Sequence, residues 1–300
     1  SLWAFAPIGE TMYIKGEGMY KYNYDVNSKT FFQIADLDLL KFTGDFSTKS
    51  GSVNLALGRF NVSDSTGVIF TQNCDGAFIK YSGQTSILSM YAGFTGLLNS
   101  NVVNILDKNG TPYNPKNKIY ALNAAYVPVM ATVSFPSLFL NQTLSFQASS
   151  FIDVTDEAYN RMYGSVELSG PLAGSVFYTL ISTFGTENFK NIMNLSNLTL
   201  SIFPKSNIFI APGIQYASGK HAGMSEFKGF SAHSAYSAAV EVQTTSCLLP
   251  SLSTSIALNE NKILFSIAGK GVFTFNEEEL DATGFQADAS LLYNIFSDLQ

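Results

Sequence analysis

The chain has 300 residues, room for one large domain or two ordinary ones. Charged residues make up 13%, about half of what soluble proteins carry, and 25 Phe with 15 Tyr exclude the charge-rich, aromatic-poor composition of a disordered chain. A net charge of −6 and only two arginines, Arg59 and Arg161, leave no basic patch for a row of phosphates, so no nucleic-acid partner is expected.

Along the chain, the opening SLWAFAPIGE has no basic region ahead of an apolar run, so no signal peptide is read there. Trp3–Pro7 is a candidate strand. From Met12 to Tyr24 one parity carries Met12, Ile14, Tyr20, Tyr22 and Tyr24, and the other Lys15, Glu17, Lys21 and Asn23. The alternation returns at Val53–Leu57, Leu88–Phe94, Met162–Leu168, Val176–Phe184, Leu198–Ile202, Ile263–Phe275 and Phe285–Ile295. A period of two puts each set on one face of a sheet. Many of these runs exceed the usual five or six residues of a globular strand, and a tilted strand of about 9–11 residues crosses a bilayer. The window 121–140 is uncharged and long enough for one membrane helix, but Pro128, Pro136 and strand-like neighbours favour strands.

Tight breaks are read at 82–85, 169–174, 203–207 and 247–250, and longer connections at 97–118, 153–160, 186–194 and 218–232. Short turns alternating with long loops are the habit of a transmembrane barrel. Aromatics near strand ends (Tyr20, Tyr22, Tyr24, Phe31, Phe32, Phe135, Phe139, Phe273 and Phe275) suit interfacial girdles, although Phe and Tyr are also simply good strand formers. The polar parity is mostly Ser, Thr, Asn, Gln and Gly with few charges. A soluble sandwich of this length would carry many more Lys and Glu. Lys15, Glu17, Lys21, Asp36, Asp38, Arg59, Lys80 and Glu167 are the candidates to line a wet lumen.

The stretch LGRF (57–60), the loop that follows it and DGAFIKYSG (75–83) resemble porin-type barrels, most of all the general-porin and alginate-export-type families. In those, a strand ending in Gly-Arg is followed by a loop and a strand begun by Asp-Gly. The resemblance implies that Arg59 faces the lumen and that Asp75 and Gly76 begin a strand at the membrane edge. Two features depart from the pattern. Two arginines cannot build the arginine ladder usual in those pores, and the chain ends IFSDLQ rather than on the aromatic residue that usually closes outer-membrane barrels.

Catalysis finds little support. His221 and His233 are the only histidines, and His233 next to Ser234 points to the opposite face of a strand, so the two make no nucleophile–base pair. Asp36 and Asp38 share a parity, which suits a lumen lining better than paired-carboxylate chemistry. No zinc spacing, phosphate loop or dinucleotide fingerprint is present, EEELD (277–281) lacks the spacing of a calcium loop, and no cofactor or metal is expected. Cys74 and Cys247 are either a disulfide or two unrelated small apolar residues. The four N-x-S/T sequons, at Asn61, Asn141, Asn194 and Asn197, are expected by chance in a chain so rich in Ser and Asn.

The expectation is an all-β protein: one transmembrane antiparallel β-barrel spanning 1–300, of about 14–16 strands, incomplete at one terminus if a strand is lost there. It would sit in a bacterial outer membrane, with lipid and small hydrophilic solutes as partners. The resembled group includes trimers, but nothing in the sequence marks a homo-oligomer interface. The expected activity is passive diffusion through the lumen, not enzymatic. A plugged barrel serving as adhesin, receptor or anchor is the alternative, and a soluble secreted all-β protein is the third reading. Loop 97–118 would fold inward as a constriction or outward as a display.

Overall fold

The computed structural model describes residues 1–26, 29–113, 119–155, 158–231, 244–259, 262–276 and 279–293. Among them the two-residue alternation yields fifteen strands: β1 Leu2–Ile8, β2 Met12–Asp25, β3 Thr30–Thr48, β4 Gly51–Ser63, β5 Thr71–Gly83, β6 Ile87–Phe94, β7 Tyr126–Phe139, β8 Gln142–Asp153, β9 Arg161–Ala173, β10 Val176–Glu187, β11 Met193–Lys205, β12 Ile208–Ala217, β13 Cys247–Leu258, β14 Ile263–Asn276 and β15 Glu279–Tyr293. They form one antiparallel sheet in strict chain order, and β1 and β15 are not paired with each other. The all-β expectation and its strand range hold, and Trp3–Pro7 lies within β1. The window 121–140 contains β7, and among the described residues no helix is long and apolar enough to cross a membrane.

The connections sort by end. Each odd strand joins the next even one through 9–11, 49–50, 84–86, 140–141, 174–175, 206–207 or 259–262. Most of the even-to-odd connections are longer, above all 64–70, 95–125 and 218–246. In an antiparallel meander all odd-to-even turns lie at one end, so the long segments gather at the other. One expected turn is corrected: Cys247–Pro250 opens β13 rather than breaking the chain. The ladder to β14 lapses at Leu249 and Pro250, where proline has no N–H to give, while the ladder to β12 runs through both. Pro250 disturbs the strand without ending it.

Directly paired residues share a face, so register turns the alternation into hoops. Thr143, Ser169, Thr179, Thr199, Gly213, Ser251, Lys270 and Gln286 form one hoop across eight strands. Next to it on the opposite face run Leu144, Leu168, Leu180, Leu198, Ile214 and Pro250. The apolar hoop is the open one: Leu180, Leu198 and Ile214 are 43%, 38% and 41% exposed. The buried cluster lies on the polar hoop's side, where the long connections pack against the wall. We call that side the inner face.

Candidate functional site

The site begins at a parting in the sheet. β3 pairs with β4 only as far as Leu40 and Arg59, and β5 meets β6 only from Asp75 onward. Beyond those points residues 60–74 pair with themselves alone. This hairpin leaves the wall and crosses the inner face. Phe70 packs against Phe151 of β8 with ring centroids 5.3 Å apart, and Ser65 N donates to Gln147 Oε1, also of β8, at 2.9 Å. The tip, Gly67 and Val68, faces the wall formed by β11–β14 across a hollow.

Gly58 is the hinge. Its φ of +110° is a conformation that suits glycine, and a Cβ there would sit 2.0 Å from the Leu40 carbonyl oxygen. The adjoining Arg59 stitches the parting. Nε and Nη2 donate to the two carboxylate oxygens of Asp75 at 2.8 and 2.7 Å, Nη1 reaches Asp36 at 3.3 Å and the Leu37 carbonyl at 3.0 Å, and Nη2 also donates to the Leu97 carbonyl. The edge of β3 left bare by the hairpin is taken up by the 95–125 connection, since Ala35 N donates to Ile119 O and Asn99 Nδ2 to Ala35 O. A connection has replaced a strand in the wall.

Three inward segments brace one another. Phe230 N and Ser231 N both donate to Ile69 O, Leu106 N donates to Phe230 O, and Ser231 Oγ donates to Gln72. Phe230 stacks on Phe151 at 4.0 Å with 14° between the rings. Arg161, at the start of β9 and fully buried, holds this bundle to the wall. Its Nη1 donates to the Gly229 carbonyl at 2.9 Å, Nη2 donates to the Leu106 carbonyl, and its guanidinium lies over Phe230, Tyr159 and Tyr126 at 4.8, 5.1 and 5.5 Å. Asp64 shapes the hairpin turn by accepting from Thr66 N, Thr66 Oγ1 and Phe70 N. Burial pushes its carboxyl above the ordinary range despite those donors.

Register places Lys15, Glu17, Lys21, Asp36, Lys80 and Glu167 on the inner face, the first four on the neighbouring strands β2 and β3 and the other two apart on β5 and β9. Asp38 is the extra residue of a bulge in β3, between the partners of Glu17 and Gly18. Arg59 sits in the parting, buried. Neither Gly58–Arg59 nor Asp75–Gly76 lies at a strand end, because β4 runs on to Ser63 and β5 starts at Thr71; the two pairs mark where the hairpin loses its neighbours. His221 is the middle residue of the short 3-10 turn Lys220–Ala222, stacked on Phe275 at 3.7 Å and bonded to Tyr216 at 3.0 Å. Burial lowers its pKa. His233, Ser234 and part of EEELD lie outside the described residues. Cys74 and Cys247 are both free and buried. Asp64, Gln147, Phe151 and Phe230 escaped sequence reasoning; only the first-residue position of Arg161 on an alternating run, beside a long connection, hinted at its task.

The fold has solved counterparts in Pseudomonas aeruginosa. OccK5 (OpdH) matches with a TM-score of 0.56 and 15% identity over 96% of this chain and 78% of that one. OpdQ matches at 0.54 and 10% over 97% and 78%, and OpdL at 0.52 and 11% over 97% and 80%. At such identities the likeness is one of fold. No protein-family model matches the sequence, and no curated protein does.

Proposed function

We propose that the chain is a single outer-membrane barrel domain, spanning 1–300, that lets small hydrophilic solutes pass passively. The observation that carries this reading is the pair of hoops, an exposed apolar one suited to lipid back to back with a hydroxyl and amide one suited to a wet lumen. A soluble sheet has no use for an exposed belt of leucines. The fold likeness to OccK5, OpdL and OpdQ supports the sheet architecture on which this reading rests without fixing the solute. The weaker likeness to general-porin and alginate-export-type families rests on residues 57–83.

In this reading Lys15, Glu17, Lys21, Asp36, Asp38, Lys80 and Glu167 bias the ions that pass, and Arg59 secures the wall beside them. The inward hairpin and the segments bonded to it set the bore. No step of bond chemistry is assigned to the chain. Single-channel recording after refolding into planar bilayers tests the reading: discrete ohmic steps are expected. A second reading has its own support in the aromatic cluster around Phe151 and Phe230, which fills part of the inner face. It makes the barrel a non-conducting anchor or adhesin. A chain that inserts, shown by heat-modifiable gel mobility, yet passes no current would favour it.

A further inference from the structure

Beyond the inward hairpin, its tip, Gly67 and Val68, faces a hollow of about 280 Å³ whose far wall is the inner face of β11–β14. Asn197 pairs with Gln215, and Thr199 and Ser251 both pair with Gly213 between them. Two amides and two hydroxyls from three strands therefore look across at the hairpin backbone. Of these, Asn197 accepts from Thr199 at 3.4 Å, and the side chains of Gln215 and Ser251 make no hydrogen bond among the described residues. An amide or hydroxyl both donates and accepts, which is the pairing a solute hydroxyl needs.

The two guanidinium groups that would grip an anion are engaged elsewhere. Arg59 is held by Asp75 and Asp36, and Arg161 by backbone carbonyls, so no guanidinium fork reaches this hollow. Lys270, the one charged side chain among the described residues that line it, already has a partner within the protein. Gly213, between Thr199 and Ser251, leaves the middle of the wall bare, and a Cβ there would meet Ser251 Oγ at 2.9 Å. Ile214 and Leu249 also line the hollow, so its wall is mixed, with Gln215 and Ser251 as the polar side chains left unbonded among the described residues.

We infer that this hollow is a recognition station for small uncharged polyhydroxylated solutes, polyols and simple sugars. The inference rests on the channel reading above and names its solute class. A neutral sugar would trade water for Asn197, Gln215, Thr199 and Ser251 on one side and hairpin backbone on the other, and brings no charge to be desolvated.

The test uses the full chain in planar bilayers with glucose as probe and gluconate, its anionic counterpart of similar size, as control. Glucose is expected to interrupt the current and gluconate not to. Asn197→Leu with Gln215→Leu should weaken the glucose block by about tenfold or more, the scale of one or two lost hydrogen bonds, while the channel still conducts. Gln215→Glu, nearly the same shape, and Ser251→Ala are the second pair of variants, with gel mobility showing that each folds. Block by gluconate alone would overturn the inference in favour of an anion site, and equal glucose block in wild type and all variants would remove the hollow from it. A wild-type chain that inserts but passes no current counts against the channel reading instead. Calorimetric titration of glucose into the detergent-folded protein then decides: heat that the double variant loses supports the station, and no heat overturns it.

Discussion

Arg161 lays its guanidinium 4.8 Å over the ring of Phe230 and donates to the carbonyl of Gly229, the residue just before that ring. One side chain of the wall thus grips the inward bundle by its backbone and by one of its buried rings. Arg161→Met should lower stability by roughly 2–4 kcal/mol, from two orphaned carbonyls and a lost cation–π contact, read as an earlier urea midpoint. Arg161→Lys should recover only part of it, since an ammonium cannot fork between the two carbonyls and lie flat on the ring. If the methionine variant matched wild type, the bundle would not depend on this grip.

Leu198 and Thr199 are neighbours in sequence and occupy opposite hoops. Leu198→Arg should cost roughly 2–4 kcal/mol of folding in lipid, while Thr199→Arg should fold nearly normally. Folding yields into vesicles, followed by gel mobility, measure both. The reverse order would mean that the faces are assigned backwards.

Gly58 and Arg59 let the hairpin leave the wall. Gly58→Ala should destabilise by about 1–3 kcal/mol through a positive φ and the clash with the Leu40 carbonyl. Arg59→Lys should leave the fold in place but loosen the hairpin, because the two-point grip on Asp75 is lost. Faster proteolysis within 64–70, at unchanged melting of the sheet, is the expected signature of the lysine variant.

Asp64 sets a pH dependence. Its folded pKa lies above the ordinary value of 3.8, so the folded chain holds the proton more tightly than the unfolded one. Stability should fall as pH rises from near 3.8 through the raised folded value, and level off above it. Asp64→Asn should flatten that slope in a series of urea midpoints. A slope of opposite sign in the wild type would show that the Thr66 and Phe70 donors outweigh burial.

Much of the sheet was legible because alternation is local. A run such as Ile263–Phe275 declares its two faces without help from any partner, and Gly-rich or Asn-rich breaks declare most turns. Cys247–Pro250 misled because proline is a turn former in isolation, and only register with β12 keeps it in a strand. The parting at Arg59 left a trace, the Gly-Arg and Asp-Gly pairs, but not its meaning. Whether β4 ends there or merely loses β3 depends on where Ile119 lies, sixty residues on. Phe151 and Phe230 read as ordinary strand or loop aromatics, since their contact joins distant segments and has no periodic signal. The inner bundle belongs to tertiary structure alone.

Fifteen strands, each antiparallel to the next, leave the first and the last pointing the same way. That is a parity rule for the seam. Brought edge to edge, β1 and β15 would make a single parallel ladder, with slanted hydrogen bonds, in an otherwise antiparallel wall. An antiparallel seal takes an odd number of strands between them. A closed and wholly antiparallel wall built on this sheet therefore has sixteen strands or a larger even number, and its bore would grow from sixteen in increments of two strands.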